Sequence, residues 1–164
     1  LLEGMVDLIN QGLEGFSDEE RARIGVHTCP GSDLDATHSA DVDYKDLLPT
    51  LFRINVGSFY IAMASEREPE KALRLIKTLL RPGLRVFVGV IDPIDPQVES
   101  PEQVRDRVLT AAKYIPLEHL GTCDDCGFSP FLDDASTSRE IAFSKIRARV
   151  LGTRLAEEAL QQGS

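Results

Sequence analysis

Residues 84–115 have the sequence LRVFVGVIDPIDPQVESPEQVRDRVLTAAKYI. The opening stretch, 84–91, is almost entirely apolar and rich in β-branched side chains, which is typical of a strand buried on both faces. Ser100 and Pro101 then predict the start of a helix, because Ser caps helix N-termini and Pro is favoured at the first helical position. A buried strand followed by an amphipathic helix is the repeating unit of a parallel α/β fold.

The same order of strand and helix recurs along the chain. Apolar strand-like segments occur near residues 24, 58, 86 and 119, with a spacing of about 30 residues that suits β/α units. Helical patterns are predicted at 1–13, 17–20, 43–54, 68–80, 100–115 and 136–160. Pro49 is predicted to interrupt the third of these helices, because proline lacks the N–H that a helix interior uses.

This rhythm predicts a parallel sheet covered by helices, either as an open doubly wound sheet or as part of a (β/α)8 barrel. The first predicted strand is not followed by a Gly-rich phosphate loop, which weakens a nucleotide-binding interpretation. Because a barrel needs eight units, we expect 1–164 to be a single partial domain, the C-terminal half of a barrel. The chain starts at Leu1 inside an amphipathic pattern, so we expect it to be part of a longer protein.

Composition narrows the classes of function. The formal net charge of −9 argues against nonspecific binding to nucleic acid or to an anionic membrane surface, since both require clustered Lys and Arg. No apolar run approaches the roughly 20 residues that cross a bilayer, and the N-terminus does not have the pattern of a signal peptide. Three cysteines are too few for a disulfide scaffold, which favours a reduced, cytoplasmic setting in which thiols serve metals or chemistry.

Polar side chains follow every predicted strand at the edge where parallel α/β proteins place their active sites. They are His27 and Cys29 after the first strand, Ser65 and Glu66 after the second, Asp92 and Asp95 after the third, and Cys123, Asp124, Asp125 and Cys126 after the fourth. Their convergence on one rim of the sheet predicts a functional site there.

Zinc fits these residue types best. His27 and Cys29 are two apart in an extended segment, so their side chains point to the same side. Thiolate and imidazole are the ligands that Zn²⁺ prefers, and a catalytic zinc site keeps one position open. Cys126 is expected to complete the protein ligands from another strand.

Each residue also has an alternative interpretation. A single buried Cys is usually a small hydrophobic residue, and Cys123 with Cys126 forms a C-x-x-C pattern that is also typical of redox proteins. The segment CDDCGFSPF is predicted to be a loop, which disfavours the redox interpretation. Structural or solvated roles are expected for His38, His119, Asp33, Asp35, Asp41 and Asp43.

The motifs HTC (27–29), GVIDPIDPQVESPEQVRDRV (89–108) and DCG (125–127) together resemble the catalytic barrel of cobalamin-independent methionine synthases. The resemblance runs from about Ile24 to the last helix and is nearest to the shorter, methionine-synthase-like proteins of that superfamily. It implies a cofactor, Zn²⁺, and two small-molecule substrates, homocysteine and 5-methyltetrahydrofolate in its polyglutamate form. It also implies that the other half of the barrel is a required partner.

The resemblance also implies which residues bind the zinc. His27, Cys29 and Cys126 match the three N/S zinc ligands of the family. The family's acidic ligand aligns with Ala64, so Glu66, two residues later, is predicted as the fourth ligand.

The acid that acts on the folate nitrogen is assigned in the same way. Asp92 matches a catalytic Asp of the family, but Ile94 stands where the family has a His, so Asp95 is predicted to act as the acid. The alternatives are a related barrel methyltransferase that uses another donor, such as a corrinoid-linked or decarboxylase-like protein, and a non-catalytic zinc-binding module.

Overall fold

The structure, a computed structural model of the chain, describes residues 1–29, 43–129 and 137–162. A four-stranded parallel sheet with strand order β1-β2-β3-β4 forms its centre. The strands are β1 (Gly25–Thr28), β2 (Ser58–Ile61), β3 (Arg85–Ile91) and β4 (Leu120–Asp124). Each strand pairs with the next one in the chain, as expected for consecutive β/α units.

Helices precede, connect and follow these strands. They are α1 (Leu2–Leu13), α2 (Asp18–Arg21), α3 (Tyr44–Leu51), α4 (Pro69–Leu79), α5 (Pro101–Ala112) and α6 (Arg139–Gln162), with a short 3-10 helix at Leu117–His119. The capping signals act as expected: the side chains of Ser17 and Ser100 accept hydrogen bonds from the N–H groups of Glu20 and Gln103. The predicted order of strands and helices is therefore confirmed.

The two faces of the sheet differ. Side chains alternate along each strand, and the face under the helices carries the fully buried Phe59, Ile61, Val86 and Val88. We call it the covered face. The opposite face, which we call the open face, is lined along one sheet row by His27, Tyr60 and Phe87, in register across β1, β2 and β3. The rings of Tyr60 and Phe87 stack there with centroids 4.5 Å apart, while His27 remains exposed.

Pro49 does not interrupt its helix, so that prediction was wrong. It lies inside α3, which continues to Leu51. A proline at this position removes one hydrogen bond, to the carbonyl of Lys45, four residues earlier. Both residues are exposed, so water can satisfy that carbonyl, and the helix ends soon afterwards.

The segment predicted to be a loop after the fourth strand begins as strand. Cys123 and Asp124 belong to β4 and pair with Gly89 and Ile91 of β3, with a register shift between those two β3 residues. The chain leaves the sheet only at Asp125, whose N–H still donates to the carbonyl of Ile91. The irregularity lies at the rim where the functional residues were predicted.

Among the residues that the structure describes, no helix combines the length and the apolar character that crossing a membrane requires.

Candidate metal centre

His27, Cys29 and Cys126 come together at the carboxyl ends of the strands. One ligand atom from each of the three lies within 4.8 Å of the others. The two sulfurs are 3.9 Å apart, well beyond the roughly 2.05 Å of a disulfide bond. His27 is exposed and the two cysteines are half-buried, so a ligand from solvent can approach the group from the His27 side.

The fold brings these residues together from opposite edges of the described sheet. His27 lies in β1 and Cys29 is the first residue after that strand, whereas Cys126 lies two residues beyond β4. In a flat sheet the first and fourth strands are about 14 Å apart, three times the usual strand spacing. The short distance between the thiols therefore requires a curved sheet and a β4 loop that turns inward, as in a β/α barrel.

The geometry of the three residues suits zinc. Two thiolates at about 2.3 Å from a tetrahedral Zn²⁺ lie about 3.8 Å apart, which agrees with the 3.9 Å between the two sulfurs. One imidazole and two thiols form a three-ligand set that leaves a tetrahedral position open, the arrangement of a catalytic zinc site. His27 is exposed as a residue, but partial desolvation of its imidazole lowers its pKa, against the opposing effect of a hydrogen bond with the backbone of Tyr60, and the neutral imidazole this favours is the form that binds metals.

Glu66 lies outside this group. Its carboxylate accepts a hydrogen bond of 3.0 Å from the N–H of Glu68. Its side chain also lines a cavity of about 250 Å³ between α4 and α5, together with Asp106 and Arg107. Its role as fourth ligand stays a prediction.

The two acids predicted to be catalytic follow β3 and stabilise turns of their own loop. The carboxylate of Asp92 accepts from the N–H of Ile94 at 2.9 Å, and that of Asp95 accepts from the N–H of Gln97 at 2.9 Å. Asp92 is half-buried and Asp95 is exposed. Both lie on the predicted rim, and their part in proton transfer stays a prediction.

Cys123 occupies a different environment from the other two cysteines. Its thiol donates to the carbonyl of Phe87 at 3.4 Å. Burial, with the negative charges of Asp125 and Asp124 adding to it, raises the pKa of Cys123 to about 12. A thiol held protonated in this way is a poor metal ligand, which favours a structural role for Cys123.

His119 and Asp43, both predicted to have structural or solvated roles, make different contacts. One ring nitrogen of His119 contacts the carbonyl of Leu84, a structural role. Asp43 caps α3 and pairs with Lys71 at 3.1 Å. The other residues of that group, His38, Asp33, Asp35 and Asp41, lie outside the described residues.

Tyr44 is a site residue that sequence reasoning missed. It begins α3 and is buried, with its hydroxyl 3.5 Å from the carbonyl of Thr28, the residue before Cys29. Burial, together with the negative charges of Asp125 and Cys29, raises the pKa of Tyr44. Its hydroxyl therefore remains a neutral hydrogen-bond donor beside the thiols. An aromatic residue directly after an N-capping Asp was the available signal.

A buried ion pair behind the β3 loop was also missed. Lys145 of α6 is fully buried, and its ammonium donates to Glu99 at 2.9 Å, to the carbonyl of Asp92 at 2.9 Å and to the carbonyl of Gln97 at 2.6 Å. Glu99 in turn accepts from the N–H of Asp92 at 2.8 Å. These contacts hold the loop that carries Asp92 and Asp95, and a single Lys in a helical pattern gives no sign of them.

Comparisons with known proteins identify the family of the chain. Residues 19–146 match the family model described as cobalamin-independent synthase, catalytic domain. The methionine synthase of Sulfurisphaera tokodaii is 25% identical over 161 residues, which cover 98% of this chain and 40% of that protein. The methionine synthase of Thermococcus kodakarensis is 28% identical over 155 residues, which cover 94% of this chain and 39% of that protein.

The chain thus spans about 40% of the length of these relatives. A solved B12-independent methionine synthase from a Shewanella species, in complex with selenomethionine, matches with a TM-score of 0.73 at 22% identity, covering 96% of this chain and 44% of that one. This likeness confirms the predicted fold class, parallel β/α units of a TIM barrel. The family match extends over most of the chain and confirms the resemblance found in the sequence. The chain belongs to the family of cobalamin-independent synthase catalytic domains.

Proposed function

We propose that this chain carries the zinc half-site of a methyltransferase that moves a methyl group from 5-methyltetrahydrofolate, in its polyglutamate form, to the thiol of homocysteine, giving methionine. The observation that carries the proposal is the cluster of His27, Cys29 and Cys126, whose ligand atoms lie within 4.8 Å of one another. The family of the chain supports methyl transfer to a thiol as the general reaction.

The reaction needs a nucleophilic sulfur. A free thiol with a pKa near 8.5 is mostly protonated at neutral pH. Zinc bound by these three residues would supply a positive charge that favours the thiolate and leave a position for it. The sulfur–methyl bond then forms as the bond from the folate N5 to the methyl carbon breaks, and the folate nitrogen takes up a proton.

The described residues have separate parts in this proposal. His27, Cys29 and Cys126 hold the metal, with Glu66 as the predicted further ligand. Asp95, exposed on the β3 loop, delivers the proton to the folate nitrogen. Asp92 orients that loop through its bond to the N–H of Ile94.

We also propose that residues 1–164 form one partial domain that further β/α units complete into a barrel. The support is the share of the relatives that the chain covers, 40% in the Sulfurisphaera protein. The missing units would supply the remaining walls of the substrate pocket above the open face. A cytoplasmic setting follows from the reduced thiols that the metal site requires.

Zinc-edge X-ray absorption of the complete, zinc-loaded protein tests the substrate. Homocysteine is expected to raise the sulfur count at the metal from about two to about three, because its thiol takes the open position. Homoserine, which carries a hydroxyl in place of the thiol, is the matched control and should leave the sulfur count unchanged. A spectrum that homocysteine does not alter rejects homocysteine as the methyl acceptor. A wild-type site with four protein ligands that takes up no added thiol points instead to a structural zinc module.

A further inference from the structure

We infer that Asp125 is the positioning residue that fixes Cys126 in the metal group, an inference that rests on the proposed zinc site. Asp125 is fully buried and directly precedes Cys126. Its carboxylate does not bond the thiols, however, but reaches past β3 to the segment that follows β2.

The carboxylate of Asp125 fills a cradle of hydrogen-bond donors at that strand end. Three consecutive backbone N–H groups donate to it: Met63 and Ala64 to Oδ1 at 2.8 and 2.9 Å, and Ser65 to Oδ2 at 3.2 Å. The Ser65 hydroxyl adds a fourth donor to Oδ2 at 3.3 Å. We call this arrangement the Asp125 cradle.

The cradle provides an acceptor for backbone N–H groups that the sheet no longer pairs. β2 ends at Ile61 and Ala62 still donates to the carbonyl of Thr28 in β1, but the N–H groups of Met63, which is buried, and of the half-buried Ala64 need another acceptor. Buried N–H groups without an acceptor are costly. An ionised carboxylate offers two oxygens with about four acceptor sites, whereas an amide of the same shape offers one oxygen and turns its NH₂ toward the donors.

Gly89 of β3 makes room for the carboxylate. A Cβ at position 89 would lie 1.7 Å from Oδ1 of Asp125 and 2.9 Å from the nitrogen of Met63. Any side chain there would expel the carboxylate. Residues from β3 and from the segments that follow β2 and β4 therefore meet at this one carboxylate.

The cradle bears directly on the metal group. The peptide after Asp125 leads straight to Cys126, whose sulfur must stay near 3.9 Å from that of Cys29. Asp125 is held by four donors from the segment directly after β2, and β2 pairs with β1, the strand that carries His27 and leads to Cys29. The cradle thus ties Cys126 to the same frame as His27 and Cys29, and groups that orient metal ligands typically matter for affinity.

Titration of the full chain with Co²⁺, followed by thiolate-to-cobalt charge-transfer absorption, tests this role. Asp125→Asn is expected to weaken Co²⁺ binding by about 10- to 100-fold, the usual loss when a group that orients a ligand is removed. Asp124→Asn is the matched control, because that carboxylate faces α6 and lies 3.0 Å from Arg149. It should change the affinity by less than about threefold, well below that range.

Folding is measured on the same samples by circular dichroism without metal. A merely structural Asp125 would lower the thermal midpoint but leave Co²⁺ affinity and band intensity intact at temperatures where the variant is folded. Folded Asp125→Asn with wild-type Co²⁺ affinity overturns the inference, as does an equal loss in Asp124→Asn.

Should Asp125→Asn not fold, Ser65→Ala decides. It removes only the hydroxyl donor of the cradle and is expected to weaken Co²⁺ binding by about threefold, less than the 10- to 100-fold loss expected when the whole carboxylate is lost. Unchanged affinity in Ser65→Ala then overturns the inference. A wild-type chain that binds no Co²⁺ defeats the zinc proposal itself, whereas wild-type binding with unaffected variants defeats only the role of Asp125.

Discussion

Cys123 and Cys126 are three residues apart, yet the fold places their thiols in two different regions. Cys123 is still part of β4, bonded to the carbonyl of Phe87 at 3.4 Å, and its pKa is raised to about 12 by burial and by Asp125 and Asp124. Cys126 lies past the end of the strand, 3.9 Å from the sulfur of Cys29. The position relative to the strand end, rather than the residue type, decides which thiol is available to a metal.

The same contrast separates the whole covered face from the rim beyond the strands. The covered face consists of apolar side chains that water does not reach, so it should govern stability. The rim consists of side chains that the strand ends bring together, so it should govern metal binding. Substitutions can separate these two properties.

The largest expected effect is on the covered face. Phe59→Ala removes a fully buried ring that stacks on Phe52 with centroids 4.4 Å apart, and is expected to lower the free energy of unfolding by about 3–5 kcal/mol. Urea denaturation followed by circular dichroism measures this change. Phe143→Ala, at an exposed position of α6, is the control and should change the free energy of unfolding by less than about 0.5 kcal/mol. A Phe59→Ala variant as stable as Phe143→Ala would refute the assignment of the covered face as the core.

A substitution on the rim should instead weaken metal binding and leave the free energy of unfolding nearly unchanged. Cys29→Ser is expected to weaken zinc binding by more than about 100-fold, because losing a direct ligand should exceed the 10- to 100-fold loss caused by its supporting groups. The free energy of unfolding without metal should change little, since Cys29 is only half-buried. Competition with a coloured zinc chelator gives the affinity. Zinc binding within threefold of wild type would remove Cys29 from the site.

The two regions should also differ in thiol reactivity. At pH 8 without metal, iodoacetamide should modify Cys123 at least about tenfold more slowly than Cys29, because only the thiolate reacts and a pKa near 12 leaves little of it. The Cys123 rate should keep rising with pH beyond the range in which an ordinary thiol ionises, because burial raises its pKa. Peptide mass spectrometry reads both rates, and the chain in urea should show them equal. Equal rates in the folded chain would contradict the placement of Cys123.

Glu66 should show the smallest effect. Its carboxylate bonds the N–H of Glu68 and lines the cavity between α4 and α5. As the proposed fourth ligand it turns to the metal when zinc binds, so Glu66→Gln, which loses the charge, should weaken zinc binding by about tenfold, the low end of the loss seen for groups that support a metal site. Zinc affinity within threefold of wild type in a titration would remove Glu66 from the site.

Sequence reasoning predicted the helices and strands that are determined by the pattern of neighbouring residues. The β-branched run 84–91 and the Ser100–Pro101 signal act through neighbouring residues, and the structure has β3 and α5 there. His27, Cys29 and Cys126 were grouped because the carboxyl ends of parallel strands form one rim, a rule that needs only the strand order. Their distances could not be predicted, since these depend on sheet curvature.

The remaining features depend on contacts between distant segments. The Asp125 cradle joins residues more than 60 positions apart, and the Lys145–Glu99 pair joins residues 46 positions apart. No local pattern marks an aspartate that accepts backbone N–H groups from another strand. Pro49 was misjudged because its single lost hydrogen bond lies on the exposed side of α3, which the sequence alone does not show.

Zinc content of purified variants distinguishes the thiol beyond the strand end from the thiol inside β4. Wild type and Cys123→Ser should each carry about one zinc per chain by atomic emission, whereas Cys126→Ser should carry almost none. Of these two cysteines, Cys126 is the one that lies within the ligand group, and that group suits a three-ligand zinc site. Full zinc occupancy in Cys126→Ser, or equal loss in Cys123→Ser and Cys126→Ser, would contradict the account.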